Sequence, residues 1–150
     1  MNWFKQFLFK SRIWNSSFLG KNKRELGYWQ GNINRMCDWY NGTGDYYFPN
    51  PDDDEKEKKF DNKTNAILTY TSIWLKSGSY LKNLNLESGH FSGKSIADIG
   101  SGPLPSLLVF ENCEKRYCID HLNESYKDLG YPHDHYNGEV DFLSVKSEEI

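Results

Sequence analysis

From residue 23 to residue 40 the apolar positions Leu26, Trp29, Ile33, Met36 and Tyr40 recur every three or four residues, which predicts a helix with one apolar side. Gly27 and Gly31 fall inside it and oppose it. The next stretch, NGTGDYYFPNPDDD over residues 41–54, is dense in turn formers and predicts an exposed connection, continued by the charged run 52–59 as a solvated surface. A second helical pattern covers residues 63–86, where Ile67, Tyr70, Trp74, Ser77, Leu81 and Leu84 share a face, with Gly78 interrupting it. At about Gly93 the character of the chain changes. Three brief runs, 95–99, 116–119 and 140–145, predict strands. Between the first two, residues 105–112 fit a short helix opened by Pro105. Between the last two, Leu122, Tyr126 and Leu129 lie along one helical face and Gly130 supplies the stop. Strand, helix, strand, helix, strand is the order of a parallel sheet wound by right-handed crossovers, so the expected class is α/β. Residues 1–92 then form a mainly helical leading segment, and residues 93–150 carry the sheet.

Composition narrows this only a little. One hundred and fifty residues suffice for one core and not for two. A net charge of -3 with mixed signs indicates no nucleic-acid partner. Cys37, Cys113 and Cys118 are odd in number and contain no CxxC pair, which points to neither a disulfide framework nor a zinc site and suits a reducing cytoplasm. In residues 1–19 the apolar Trp3, Phe4, Phe7, Leu8, Ile13, Trp14 and Phe18 are interrupted by Lys5, Lys10 and Arg12, so no transmembrane helix and no signal peptide is expected. A helix packed on the rest of the fold is the expectation there, ahead of one lying on a membrane surface.

The candidate chemistry lies in ADIGSGPLPSLL, residues 97–108, where the first strand hands over to the first short helix. Gly100 and Gly102 permit a sharp turn and a close approach of ligand to backbone, and free amides beyond it attract anionic or electron-rich groups. Asp98, at the carboxyl end of the strand, is placed to orient the loop and accept from a cofactor ammonium group. Asp120 ends the second strand, twenty residues beyond Gly100, where an acidic side chain accepts from ribose hydroxyls. Together they predict a nucleoside site. Plainer roles stand beside these: Asp98 as a turn former, Asp120 as a helix cap, the glycines as a tight connection.

The segment resembles the first motif of the class I, Rossmann-like S-adenosylmethionine-dependent methyltransferases, a hydrophobic strand running into an acidic residue and then G-x-G. Here it stands as IADIGSGP, with Asp98, Gly100, Ser101, Gly102 and Pro103. The family usually has a further glycine where this chain has Leu104. YCIDHL is similar to the family's second acidic position, and the resemblance implies that Asp120 holds the ribose while His121 and Leu122 flank the adenosine. VDFLSVKSEEI looks like the segment ending in an acidic residue at the adenine amino group. Lys146 stands in that acidic place, followed by Ser147 and Glu148 as further cofactor-binding candidates. The resemblance covers about residues 93–150.

It implies S-adenosylmethionine as cofactor and no universal catalytic residue; a small-molecule or saccharide acceptor is an expectation set beside it, not one the resemblance supplies. A truncated, noncatalytic nucleoside-binding or interaction module is the alternative. A nicotinamide dinucleotide site ranks lower, because Pro105 stands where GxGxxG needs its third glycine. In the strand order 3-2-1-4-5-6 a chain ending after the third strand leaves the first with an open edge, so the expectation is an incomplete sheet, the leading part of a longer enzyme or a shortened product, with that edge either covered or open to self-association. His133, Asp134 and His135 form a short cluster without a distant partner, so no metal is expected, and neither Cys113 nor Cys118 occupies an activated position. Tyr40, Tyr46, Tyr47 and Phe48 suggest a lid or, more commonly, simple packing.

Overall fold

The computed structural model describes residues 3–145, with side chains from residue 20 onward. A single helix, α1 (Trp3–Tyr40), runs through both the leading segment and the patterned stretch after it. The expected face is the buried one: Ile33, Met36, Trp39 and Tyr40 are in the core and Leu26 and Trp29 pack against it. The internal glycines do not break the helix. A Cβ added at Gly27 or Gly31 would meet nothing within 4 Å, so neither glycine serves a close approach. Replacing either by alanine should raise stability by about 0.5 to 1 kcal/mol, read as a higher melting temperature; a lower one would reveal a contact made by the bare backbone.

After Tyr40 the chain is irregular but strapped down. Trp39 donates its indole N–H to the Phe48 and Pro49 carbonyls at 2.9 and 2.8 Å, and Asn50 donates to the Trp39 carbonyl at 2.7 Å. Tyr46 and Phe48 pack on the core, whereas Tyr47 is exposed. Asp61 caps the second helix, α2 (Asn62–Lys76), accepting from the amides of Lys63 and Thr64.

The single helix expected over residues 63–86 is in fact two. Gly78 takes φ 68°, a left-handed conformation that ends α2, and a short helix α3 (Ser79–Leu84) restarts beyond it. Ser77 reinforces the break by donating its hydroxyl to the Trp74 carbonyl at 2.6 Å. Leu84, expected on the apolar face, is turned out to solvent by the same break.

Three parallel strands come next, β1 (Ser95–Ile99), β2 (Lys115–Ile119) and β3 (Asp141–Leu143), in the order β1-β2-β3. The class is therefore α/β. Between β1 and β2 the expected helix is replaced by a 3-10 turn, Ser106–Val109. Pro103 and Pro105 bracket Leu104 and disfavour helical geometry before the second proline. The bonds Leu108 N–H to Pro105 and Phe110 N–H to Leu107 then close tight three-residue steps. Between β2 and β3 the expected helix is present as α4 (Asn123–Leu129), ended by Gly130 at φ 105°.

Ile96, Asp98, Arg116, Cys118 and Phe142 point to the covered face of the sheet and are half-buried to buried. On the other face Ala97, Ile99 and Leu143 are exposed, Ile99 by 72%, and Tyr117 and Ile119 are half-buried. The helical and strand regions share their core: Ile33, Met36, Trp39, Ala66, Ile67 and Tyr70 pack in one cluster with Leu104, Leu122, Tyr126 and Tyr131. Among the described residues no helix is long and apolar enough to cross a membrane.

Candidate functional site

The carboxyl ends of β1 and β2 lie side by side, with Asp98 paired to Cys118 and Ile99 to Ile119. The chain leaves β1 through Gly100 at φ 78° and Gly102 at φ 67°, both in the left-handed region that a side chain resists. The Gly100 amide reaches back to the Ile119 carbonyl at 2.7 Å, which anchors the turn to the neighbouring strand. Beyond it Pro103, Leu104 and Pro105 are buried, and the Ser101 hydroxyl donates to the Gly102 carbonyl at 3.2 Å.

Asp120, one residue past β2, is only 4% exposed. Its Oδ2 accepts from the Gly102 amide at 3.1 Å and its Oδ1 from the Leu122 amide at 2.9 Å. The second acid and the glycine turn are thus brought into direct contact. One bond is the local cap that aspartate commonly makes; the other ties two strand ends together.

Asp98 is half-buried and faces the helical layer. Its Oδ2 accepts from the Tyr80 hydroxyl at 3.0 Å and from the Ser106 hydroxyl at 2.7 Å. Burial pushes the Tyr80 phenol above its ordinary pKa, so it is a donor at neutral pH. Asp98 and Asp120 therefore sit on either side of one glycine turn, each fastened to it or to the residues just after it.

The open side of that turn is covered by α1. The Trp29 ring lies against Gly102, where an added Cβ would stand 3.2 Å from Cζ2. Trp29 meets Tyr126 and Tyr131 edge to face, and the Tyr131 hydroxyl donates to the Trp29 carbonyl at 3.1 Å. Tyr126 donates to Glu25 at 2.7 Å, and His121 Nε2 lies 2.9 Å from Asn22 Oδ1. Three residues of one helix, Asn22, Glu25 and Trp29, thus span the tips of both strands.

Of the sequence-predicted residues, Asp98, Gly100, Ser101, Gly102, Pro103, Asp120 and His121 gather here, while Leu122 is buried in the core cluster. Ser147 and Glu148, with Lys146, lie outside the described residues. Trp29, Tyr80 and Ser106 went unrecognised. Trp29 belonged to an apolar helical face that predicted burial but named no neighbour, and Tyr80 and Ser106 carry no signal apart from a tertiary fold that sets them beside Asp98.

The histidine cluster disperses. His133 is buried, stacked on Phe142 at 3.7 Å and bonded through Nε2 to the Pro103 carbonyl at 3.1 Å. Asp134 pairs with Lys127, and His135 packs edge to face on Phe60 and Tyr136. Among the described residues no group of three or more histidine, cysteine or acidic side chains is arranged to hold a metal. Burial pushes the Cys118 thiol up to about 11, which leaves it protonated and a poor nucleophile. Comparison of the chain with models of known families, with curated proteins and with solved structures found no match.

Proposed function

We propose that this chain carries the cofactor-binding part of an S-adenosylmethionine-dependent methyltransferase with a Rossmann-like sheet. The observation that carries the reading is the bond from the Gly102 amide to Asp120, because it joins the glycine turn of one parallel strand to the acid at the tip of the next. Ligands of open parallel sheets bind at this end of the strands. Among the described residues the sheet face with Ala97, Ile99 and Leu143 is exposed and no strand pairs with the outer edge of β1, which is where further strands and helices of such a sheet would pack.

In this reading the methionine portion lies along Gly100, Ser101, Gly102 and Pro103, with its ammonium group toward Asp98. The ribose lies near Asp120, whose Oδ2 holds the Gly102 amide and whose Oδ1 holds the Leu122 amide and lies 3.4 Å from His121 Nδ1. His121 flanks the adenosine, and Ser147 and Glu148 are carried as adenine-side candidates. The donor's sulfonium already activates the methyl group, so the protein's contribution is alignment of a small-molecule or saccharide acceptor.

A noncatalytic nucleoside-binding or interaction module is the second reading. It is favoured by the cover of α1, since Trp29 stands on Gly102 and Asp120 is nearly inaccessible.

Calorimetric titration with S-adenosylhomocysteine and with NAD tests the common premise. The homocysteine nucleoside should bind and NAD should not; the reverse preference would move the site to a dinucleotide enzyme. Transfer of labelled methyl from S-adenosylmethionine to small hydroxylated acceptors would then separate the catalytic from the noncatalytic reading.

A further inference from the structure

A cleft of about 170 Å³ is lined by α4, the segment that follows it and β3. It has room for several waters and is smaller than the pockets that enclose drug-sized molecules, so it suits a small group. Its polar walls are of one kind. Asn123 is 2% exposed, and its Nδ2 donates to the Cys118 carbonyl at 3.1 Å and to the Leu143 carbonyl at 2.8 Å. Those two bonds use both amide protons and fix which end of the amide is the oxygen. Oδ1 is left buried with no hydrogen-bond partner among the described residues, a state that calls for a donor.

His133 is the other buried polar side chain of the cleft. Its Nε2 carries the proton that bonds the Pro103 carbonyl, so Nδ1 of the neutral ring can only accept. The exposed rim has three carboxylates, Glu124, Asp134 and Asp141, against one ammonium, Lys127, which is already bonded to Asp134 at 3.0 Å. Val140 and Phe142 complete the lining with apolar surface.

A group that settles here has to donate, to carry positive charge and to give up water against apolar walls. A guanidinium meets these demands better than an ammonium, because it is planar, weakly hydrated and presents its donors as a fork. We propose that the cleft is a binding site for a guanidinium group, which donates to Asn123 Oδ1 and turns its charge toward Glu124 and Asp141. Nothing in this site depends on a nucleoside at the glycine turn. The arginine side chain of a peptide and a free guanidine share the chemistry.

The whole chain is titrated with N-acetyl-argininamide and with its citrulline counterpart, which has an uncharged urea of similar shape in place of the guanidinium. Binding is read by calorimetry and by amide NMR spectra. The arginine compound should bind roughly tenfold or more tightly than the citrulline compound. The signals that move should include the side-chain amide of Asn123 and the backbone amides of residues 140–143. Glu124→Gln and Asp141→Asn lie at exposed positions and should leave folding intact; each should weaken the arginine compound about two- to fivefold. Propylguanidine, the same side chain without a backbone, identifies the source: equal affinity assigns the cleft to a free guanidine, clearly weaker binding to the arginine of a peptide.

Equal affinity for the arginine and citrulline compounds would show that the cleft does not read charge and would overturn the proposal, as would binding of neither. Shifts confined to residues away from Asn123 would place the cation elsewhere on the surface. A double variant at Glu124 and Asp141 that binds like the unaltered chain would do the same, and either result overturns the site.

Discussion

Replacing Asp120 by alanine is expected to cost about 3 to 5 kcal/mol of stability and to abolish nucleoside binding in whatever fraction stays folded. The side chain is 4% exposed and accepts one amide on each oxygen, Gly102 on Oδ2 and Leu122 on Oδ1. Each bond to an ionised acceptor contributes roughly 1.5 to 3 kcal/mol, and alanine leaves both donors in a space that water does not readily enter. The two bonds also differ in reach. The bond to Leu122 is local and shapes the entry to α4; the bond to Gly102 crosses between strands and holds the turn in its left-handed geometry.

Asp120→Asn is therefore not a mild change. It keeps one acceptor but turns an NH2 group toward the second amide, and it too should destabilise. For a chain of this size the alanine variant should melt roughly 10 °C or more below the unaltered protein. A decrease smaller than about 3 °C would mean that the turn is held by its other anchors, the Gly100 amide on the Ile119 carbonyl and the buried prolines.

The contacts around Asp120 show where a single sequence is informative and where it is silent. Gly100, Gly102, Asp98 and Asp120 were legible because their meaning is local: a positive φ needs glycine, and an acid at a strand end is fixed in place by the strand. The three strands and α4 were legible for the same reason, through brief runs set off by turns and through the series Leu122, Tyr126, Leu129, Gly130.

Elements whose form depends on neighbours were misjudged. Pro105 suits the first turn of a helix, yet the pair of prolines around Leu104 and the burial of Leu107, Val109 and Phe110 give only a 3-10 turn. Gly27 and Gly31 suggested weakness in a helix that is continuous over 38 residues, while Gly78, the same residue type, ends one. Periodicity showed that Trp29 belongs to an apolar face. That this face closes on Gly102 is a fact about packing between residues far apart in the chain, and no local pattern encodes it. The grip of Tyr80 on Asp98, across 18 residues, is hidden in the same way.

His133 links that turn to the pH of the medium. Burial pulls its imidazole down to about 4 from 6.5; the bond to the Pro103 carbonyl opposes this and nearby Lys127 adds to it. Because a carbonyl only accepts, Nε2 must carry the proton in the neutral ring, whose face lies flat on Phe142. Above about 6.5 the residue is neutral whether the chain is folded or unfolded, and its contribution is fully present. As the pH falls from 6.5 toward 4 the unfolded chain takes up a proton that the folded chain refuses, so stability falls through that window and this contribution levels off below it.

A shift of this size corresponds to roughly 3 kcal/mol across the window. Urea unfolding of the unaltered chain at pH 7, 6 and 5 should show a progressive loss. His133→Phe keeps an aromatic face for Phe142 and gives up both the proton and the Pro103 bond, so it should start less stable and decline less between pH 7 and 5. Carboxylates that titrate lower act on both proteins alike, which makes the difference in slope the quantity that belongs to His133. Parallel slopes would show that the imidazole titrates freely in the folded chain and that the Pro103 carbonyl is held by something else.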